Sequence, residues 1–144
     1  MNRDSYDINY PARKTYMSCG YDFEAPYDVD LKPGEWITID TGIRFDGFEV
    51  MTMMIGNLIV DNWYMMLTPR SGLSTRVGLR LRNTVGIIDQ DYRDNILVTV
   101  TVDEPYSLKK GERFVQGIIM PYLVWSDECT PREERKGGYG STGQ

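Results

Sequence analysis

Histidine is absent from all 144 residues. That excludes Ser-His-Asp and Cys-His catalysis and zinc sites of the HExxH or HxE…CxxC type. Any general base is then a carboxylate or, less often, Lys, Tyr or Cys. Only two cysteines occur, Cys19 and Cys129, with no CxxC spacing, so no disulfide framework is set. A positive surplus is missing too: 16 Lys and Arg against 21 Asp and Glu leave a net charge of −5. A general nucleic-acid binder needs a basic surface, so that class is disfavoured, although a few local cations suffice for one triphosphate. The most apolar stretch, Met51 to Leu67, is interrupted by Asn57, Asp61 and Asn62. It falls short of the roughly 20 apolar residues a membrane span needs. The opening residues MNRDSYDINY have no apolar core after a basic region, so no secretory signal is expected. These absences together predict a reduced, cytoplasmic protein, in the host cytoplasm if the chain is viral.

What is present reads as β-structure. With 26% charged and 41% hydrophobic residues, the chain has the composition of a single soluble domain. Ile96 to Val102 is a β-branched run, and Trp36 to Asp40 and Arg113 to Met120 read as strands as well. Turn formers separate them at short intervals: Lys32-Pro33-Gly34-Glu35, Asp46-Gly47 and Lys110-Gly111-Glu112. This pattern predicts an all-β barrel or sandwich with one brief helix near Gly72 to Val77. Residues 48–67, rich in Met and aromatics, read as a core hairpin joined near Gly56-Asn57 or as an apolar subunit interface. The end changes character: residues 1–131 form the expected core and residues 132–144 a charged, then glycine-rich, mobile arm.

Four segments carry chemistry-bearing residues besides Asp22. In the tail, Gly137 to Gly143 could converge backbone N–H groups on an anion, with Ser141 and Thr142 as hydroxyl donors and Arg135 and Lys136 beside them. It is no Walker A loop, since no GK[ST] follows, and a solvated terminus has the same composition. Asp89 and Asp91 would lie on one face of an extended chain, suited to a hard cation or to general base duty, or to a solvated acidic turn. Arg70, Arg76, Arg80, Arg82 and Arg93 are candidate partners for Asp89. Pro69-Arg70-Ser71-Gly72 is turn chemistry that could present a hydroxyl and N–H groups to phosphate. By alternation Gln116 shares a face with Phe114, Ile118 and Met120, and a buried amide there must find partners.

Taken in order, these segments resemble the five motifs of the trimeric dUTPase family. Cys19-Gly20-Tyr21-Asp22-Phe23 is similar to the first motif, Pro69 to Leu73 to the second, and Asn83 with Gly86 to Arg93 to the third. Gly111-Glu112-Arg113 through Gln116 is similar to the fourth, and Arg135 with Gly137 to Gly143 to the fifth. Pro33-Gly34-Glu35 and Asp40-Thr41-Gly42-Ile43 also fit, so the resemblance runs from about Pro11 to the end.

The resemblance implies a distorted, jelly-roll-like β-barrel in a homotrimer with shared active sites, hydrolysing dUTP to dUMP and pyrophosphate with Mg2+. Such an activity limits uracil incorporation into DNA and supplies dUMP for dTMP synthesis. By position, the resemblance makes Asp89 the general base for water attack on the α-phosphorus, with Arg70 and Gln116 as further catalytic residues. It places Ser71 and Gly72 at the phosphates and Asn83, Gly86 and Ile88 around uracil, with Tyr92 under the deoxyribose. Arg135, Ser141 and Thr142 would grip the terminal phosphates, Tyr139 with Gly140 would cover the base, and Asp22 would hold the metal through water.

The chain departs from the family pattern in four places. Cys19 replaces alanine, Asp94-Asn95 replaces Gly-Glu, and the stretch from Gly47 to Tyr64 is longer. The fifth-motif arginine is displaced: its usual position holds Glu134, so Arg132, Arg135 and Lys136 all remain candidates for the γ-phosphate. The rival readings are a dCTP deaminase-like enzyme of the same fold and a dUTPase with an added regulatory protein partner at 47–64.

Overall fold

The computed structural model describes residues 2–3, 9–45, 53–55 and 57–126. Those residues are mostly β with one short helix. In chain order they form β1 (Asn2–Arg3), β2 (Gly20–Glu24), β3 (Val29–Leu31), β4 (Ile37–Asp40), β5 (Ile43–Arg44), β6 (Met53–Ile55), β7 (Leu58–Val60) and β8 (Trp63–Pro69). Then follow α1 (Ser71–Val77), β9 (Arg80–Leu81), β10 (Gly86–Asp89), β11 (Leu97–Thr101), β12 (Tyr106–Leu108) and β13 (Arg113–Pro121). Every strand pairing is antiparallel. A four-stranded sheet has the order β10-β8-β13-β2, and a three-stranded sheet the order β4-β11-β9.

Alternation decides which side of the four-stranded sheet is core. Trp63, Met65 and Leu67 of β8 are buried, with Phe23 of β2 and Val115 of β13 on the same side. Their neighbours Tyr64, Met66 and Thr68 are half-buried on the opposite face. From the other sheet, Ile39, Val98 and Val100 complete the interior. The sequence-read turns are built with glycine where the backbone demands it. Gly34 sits at φ 80° and Glu35 N–H donates to the Lys32 carbonyl, a turn that needs positive φ after Pro33.

Helix α1 starts directly after Pro69-Arg70 and stops at Gly78, whose φ of 67° is left-handed. The Gly78 and Leu79 N–H groups bond back to the Ser74 and Leu73 carbonyls. In the longer segment, Met53 to Val60 is an antiparallel hairpin with Ile55 opposite Leu58, as the Gly56-Asn57 junction predicted. Positions 47–52 and 56 of that segment, and the expected Asp46-Gly47 turn, lie outside the described residues. So do the arm at 132–144 and Cys129.

Candidate active site

β13 is the strand on which the site is built. Gln116 stands in register between Asp22 of β2 and Thr68 of β8. The expected grouping of Gln116 with Phe114 does not hold. A bulge between Arg113 and Val115 breaks the alternation, so Phe114 and Val115 are both fully buried while Gln116 turns outward. Gln116 Nε2 donates to the Pro69 carbonyl at 3.5 Å. Gly20 leaves the space this side chain occupies: a Cβ there would stand 2.2 Å from Gln116 Oε1.

Asp22 lies at the centre of this cluster. Arg70 Nε reaches its Oδ1 at 2.9 Å, and Arg113 Nη1 reaches its Oδ2 at 3.1 Å. The carboxylate is mostly buried, at 11% side-chain exposure, against 29% and 33% for its two arginines. Such a group needs charged partners, and here it has two. The backbone fixes it further, since Asp22 N–H donates to the Ala12 carbonyl. Arg70 is anchored through its own N–H to the Phe114 carbonyl, and Ser71 and Gly72 follow it, exposed, in the first turn of α1. Residues far apart in sequence thus form one cationic cluster: two guanidinium groups around one carboxylate.

Sequence reasoning assigned no role to Arg113. Its sequence position alone pairs it with Glu24 in register. Only the bulge that follows brings its guanidinium to Asp22.

The third segment lies elsewhere. Asp89 ends β10 opposite Tyr64, whereas Gln116 faces Thr68 from the other side of β8. Four residue steps along β8 separate the two by at least about 13 Å. Asp89 is exposed and borders a pocket of about 460 Å³ with Gln90, Asp91, Arg93 and Tyr122. The extended pairing expected for Asp89 and Asp91 fails, because β10 stops at Asp89 and a turn follows. Tyr92 N–H closes that turn on the Asp89 carbonyl. The Tyr92 ring is buried and its hydroxyl donates to the Asn95 carbonyl at 2.9 Å.

Of the arginines considered for Asp89, Arg93 shares its pocket. Arg70 is on Asp22, Arg80 pairs with Asp103, Arg76 lies over Tyr106, and Arg82 lies over Trp36. Between Asn83 and Gly86 the chain turns through Thr84, a β-branched residue at φ 66°. Asn83 is exposed at this turn, Gly86 is buried against Leu67, and Ile88 is half-buried. Arg135, Tyr139, Gly140, Ser141 and Thr142 lie outside the described residues.

The described residues thus form an antiparallel β-protein with a carboxylate flanked by two arginines on the outer face of its four-stranded sheet and a second acidic turn at the end of an edge strand. The sequence model of the dUTPase family matches residues 6–143, and the chain belongs to that family. The deoxyuridine 5'-triphosphate nucleotidohydrolase of Lactococcus lactis subsp. lactis is 41% identical over 94% of this chain and 89% of its own length. The crystal structure of dUTPase from Streptococcus mutans is 28% identical, with a TM-score of 0.61 over 81% of this chain and 88% of that one. A dUTPase mutant from phage phi11 of S. aureus, solved to describe coordination of a structural Mg(II) ion, shares the fold at 20% identity. Its TM-score is 0.65, over 90% of this chain and 93% of that one.

Proposed function

We propose that the chain hydrolyses dUTP to dUMP and pyrophosphate in a homotrimer whose active sites each draw on more than one subunit. One observation carries the reading. Asp22, Arg70 and Gln116 converge within a single chain, while Asp89 stands at the far side of β8. A backbone offset of at least about 13 Å between Asp89 and the Gln116–Arg70 cluster supports a site completed by a neighbour's Asp89.

The outer face of the four-stranded sheet suits such assembly. Ile87, Met66 and Ile118 lie side by side in register, and Ile87 is 56% exposed. An apolar stripe of this kind is what a subunit interface covers. In each chain the expected core is residues 1–131, and the arm at 132–144 closes over bound nucleotide. The fold class proposed for the whole subunit is the distorted, jelly-roll-like barrel. A cytoplasmic location goes with this reading, and Cys19 is a free, exposed thiol. Among the described residues no helix is long and apolar enough to cross a membrane.

The chemistry follows from the residues. Without histidine, Asp89 is the group to take a proton from the attacking water as it approaches the α-phosphorus. Arg70, the Ser71 hydroxyl and the Gln116 amide position and neutralise the phosphates, which is most of what phosphoryl chemistry requires. Asn83 and the backbone from Gly86 to Ile88 bind uracil, and Tyr92 lies at the sugar. From the arm, Arg135, Ser141 and Thr142 hold the terminal phosphates while Tyr139 and Gly140 cover the base.

Asp22, a mostly buried carboxylate on the site face, would hold the ion through water, with phosphate oxygens as its main ligands. When bound, Mg2+ would neutralise charge on the polyphosphate. In the longer segment Ile59 is 62% exposed, the observation favouring an added protein contact there.

Incubation with Mg2+ and dUTP, dCTP, dTTP or UTP separately, with assays for pyrophosphate and ammonia, tests the activity. Pyrophosphate from dUTP alone is expected, and ammonia from dCTP would mark the deaminase-like enzyme instead. Site sharing has its own test. Asp89→Asn is expected to lose orders of magnitude in turnover while still binding nucleotide, and Gln116→Ala is expected to be slow as well. Refolded together, the two variants regain activity in about a quarter of sites if random mixing of subunits rebuilds intact pairs. No recovery would refute the shared site.

A further inference from the structure

We propose that Gln90 is a positioning residue whose side chain latches the turn that follows Asp89 to the start of β8. The inference rests on the reading of Asp89 as proton acceptor and goes beyond it in naming what holds that carboxylate in place.

Strand register defines the gap that Gln90 fills. β10 pairs with β8 from Gly86 opposite Leu67 to Asp89 opposite Tyr64, so one further step would set Gln90 opposite Trp63. The strand stops short of that pair, and residues 90 and 91 turn instead. A backbone N–H at the end of a ladder still needs an acceptor. Gln90 supplies one from its side chain: Trp63 N–H donates to Gln90 Oε1 at 3.2 Å. The side-chain amide stands in for the carbonyl that the turn has taken away.

Both ends of the latch suit it. Trp63 is buried, with its ring edge-on to Phe45 at 5.1 Å between centroids, so its backbone is a fixed point. The turn is stiffened from within, since Tyr92 N–H donates to the Asp89 carbonyl at 3.0 Å and Arg93 Nη1 to the Gln90 carbonyl at 3.2 Å. Such a turn moves as a unit, and the Gln90 to Trp63 bond joins that unit to the sheet. Asp89 is the last residue of an edge strand, where fraying begins. Without the latch Asp89 drifts, whereas Tyr92 keeps its own tie to the Asn95 carbonyl. A displacement of about 1 Å in a reacting group costs up to about 10²-fold in rate.

The test compares full-length wild type with Gln90→Met, which keeps the length without the acceptor, and Gln90→Glu, whose carboxylate offers an acceptor again. Steady-state dUTP hydrolysis and hydrogen–deuterium exchange at the Trp63 amide are the two readouts. Q90M is expected to lower kcat about 10–100-fold with KM held within about twofold. Its Trp63 amide exchanges about fivefold faster, the worth of one hydrogen bond. Across the three proteins kcat tracks Trp63 protection, which a merely structural role would not require, and thermal melts identify the variants that fold. A folded Q90M with wild-type kcat would overturn the proposal. Equal Trp63 exchange in wild type and Q90M would do the same, as would a Q90E protected at Trp63 yet as slow as Q90M. Failure of the wild type to hydrolyse dUTP would instead overturn the functional reading, while Trp63 exchange still reports on the latch.

Discussion

Gly20→Ala is the smallest change that separates the site face of the four-stranded sheet from its core face. A methyl at this position would lie 2.2 Å from Gln116 Oε1, 3.0 Å from its Cδ and 3.2 Å from its Cβ. The obstacle is mainly the far end of a flexible side chain, which can swing away. The stability cost is then small: an overpacking term offset by the lower unfolded-state entropy of alanine, a net change within about 1 kcal/mol. The functional cost is not small. The Gln116 amide must leave its place beside the Pro69 carbonyl, and if it is the phosphate donor proposed above, loss of one positioned donor costs about 10²–10³ in kcat.

Gly117→Ala is the internal control one residue along β13. Its added methyl would meet Met65 Sδ at 2.5 Å and Phe23 Cε2 at 3.1 Å, in the interior. About 1–3 kcal/mol of destabilisation follows, or roughly 4–12 °C in Tm. Steady-state pyrophosphate release and thermal melts on both variants decide the matter. If Gly20→Ala melted as early as Gly117→Ala while turning over dUTP at the wild-type rate, the placement of Gln116 against Gly20 would be wrong.

Two further outcomes follow from the geometry. Thr84 occupies left-handed backbone that a β-branched residue adopts at a cost of about 1–2 kcal/mol. Thr84→Gly should raise Tm by several degrees yet raise KM, because the turn joining Asn83 to Gly86 loses its fixed shape; an unchanged Tm would show that the turn stores no strain. Tyr106 has its pKa raised above 10.0, first by its hydrogen bond to Glu112, then by burial and by the Glu112 charge. A raised pKa gives stability that is complete below pH 10 and lost as pH climbs through the folded value. Tyr106→Phe should therefore flatten the fall in Tm above pH 10, and parallel Tm–pH curves for the two proteins would contradict that assignment.

Much of the strand layout was legible because burial and propensity agree there. The run read over Ile96 to Val102 forms β11, Trp36 to Asp40 contributes β4, and the brief helix expected near Gly72 to Val77 starts one residue earlier at Ser71. The failures share a physical cause, a local break in regularity. Alternation misassigned Phe114 because a bulge inserts one residue into the count. Period-two reasoning also missed how Asp91 joins Asp89, because β10 ends at Asp89 and a turn, rather than an extended strand, brings both to one pocket.

The same bulge hid Arg113, whose position gives no hint that it reaches past Glu24 to Asp22. The resemblance implied sites shared between chains, and the register agrees in holding Asp89 apart from Asp22 and Arg70 within one chain. The local residues alone do not encode that separation, since strand pairing is a long-range property.

The location of Gln116 on β13 has a kinetic consequence. That strand is closed by partners on both sides, β8 on one and β2 on the other, whereas β10, which presents Asp89, is an edge. Amide protons around Gln116 should therefore exchange with solvent only through opening of the whole sheet, and those from Gly86 to Asp89 through local fraying. In the proposed site, the amide assigned to the phosphates would thus sit on a strand that opens only with the sheet. The segment assigned to the base and the proton acceptor would sit on an edge that frays locally, free to relax between turnovers without disturbing Gln116.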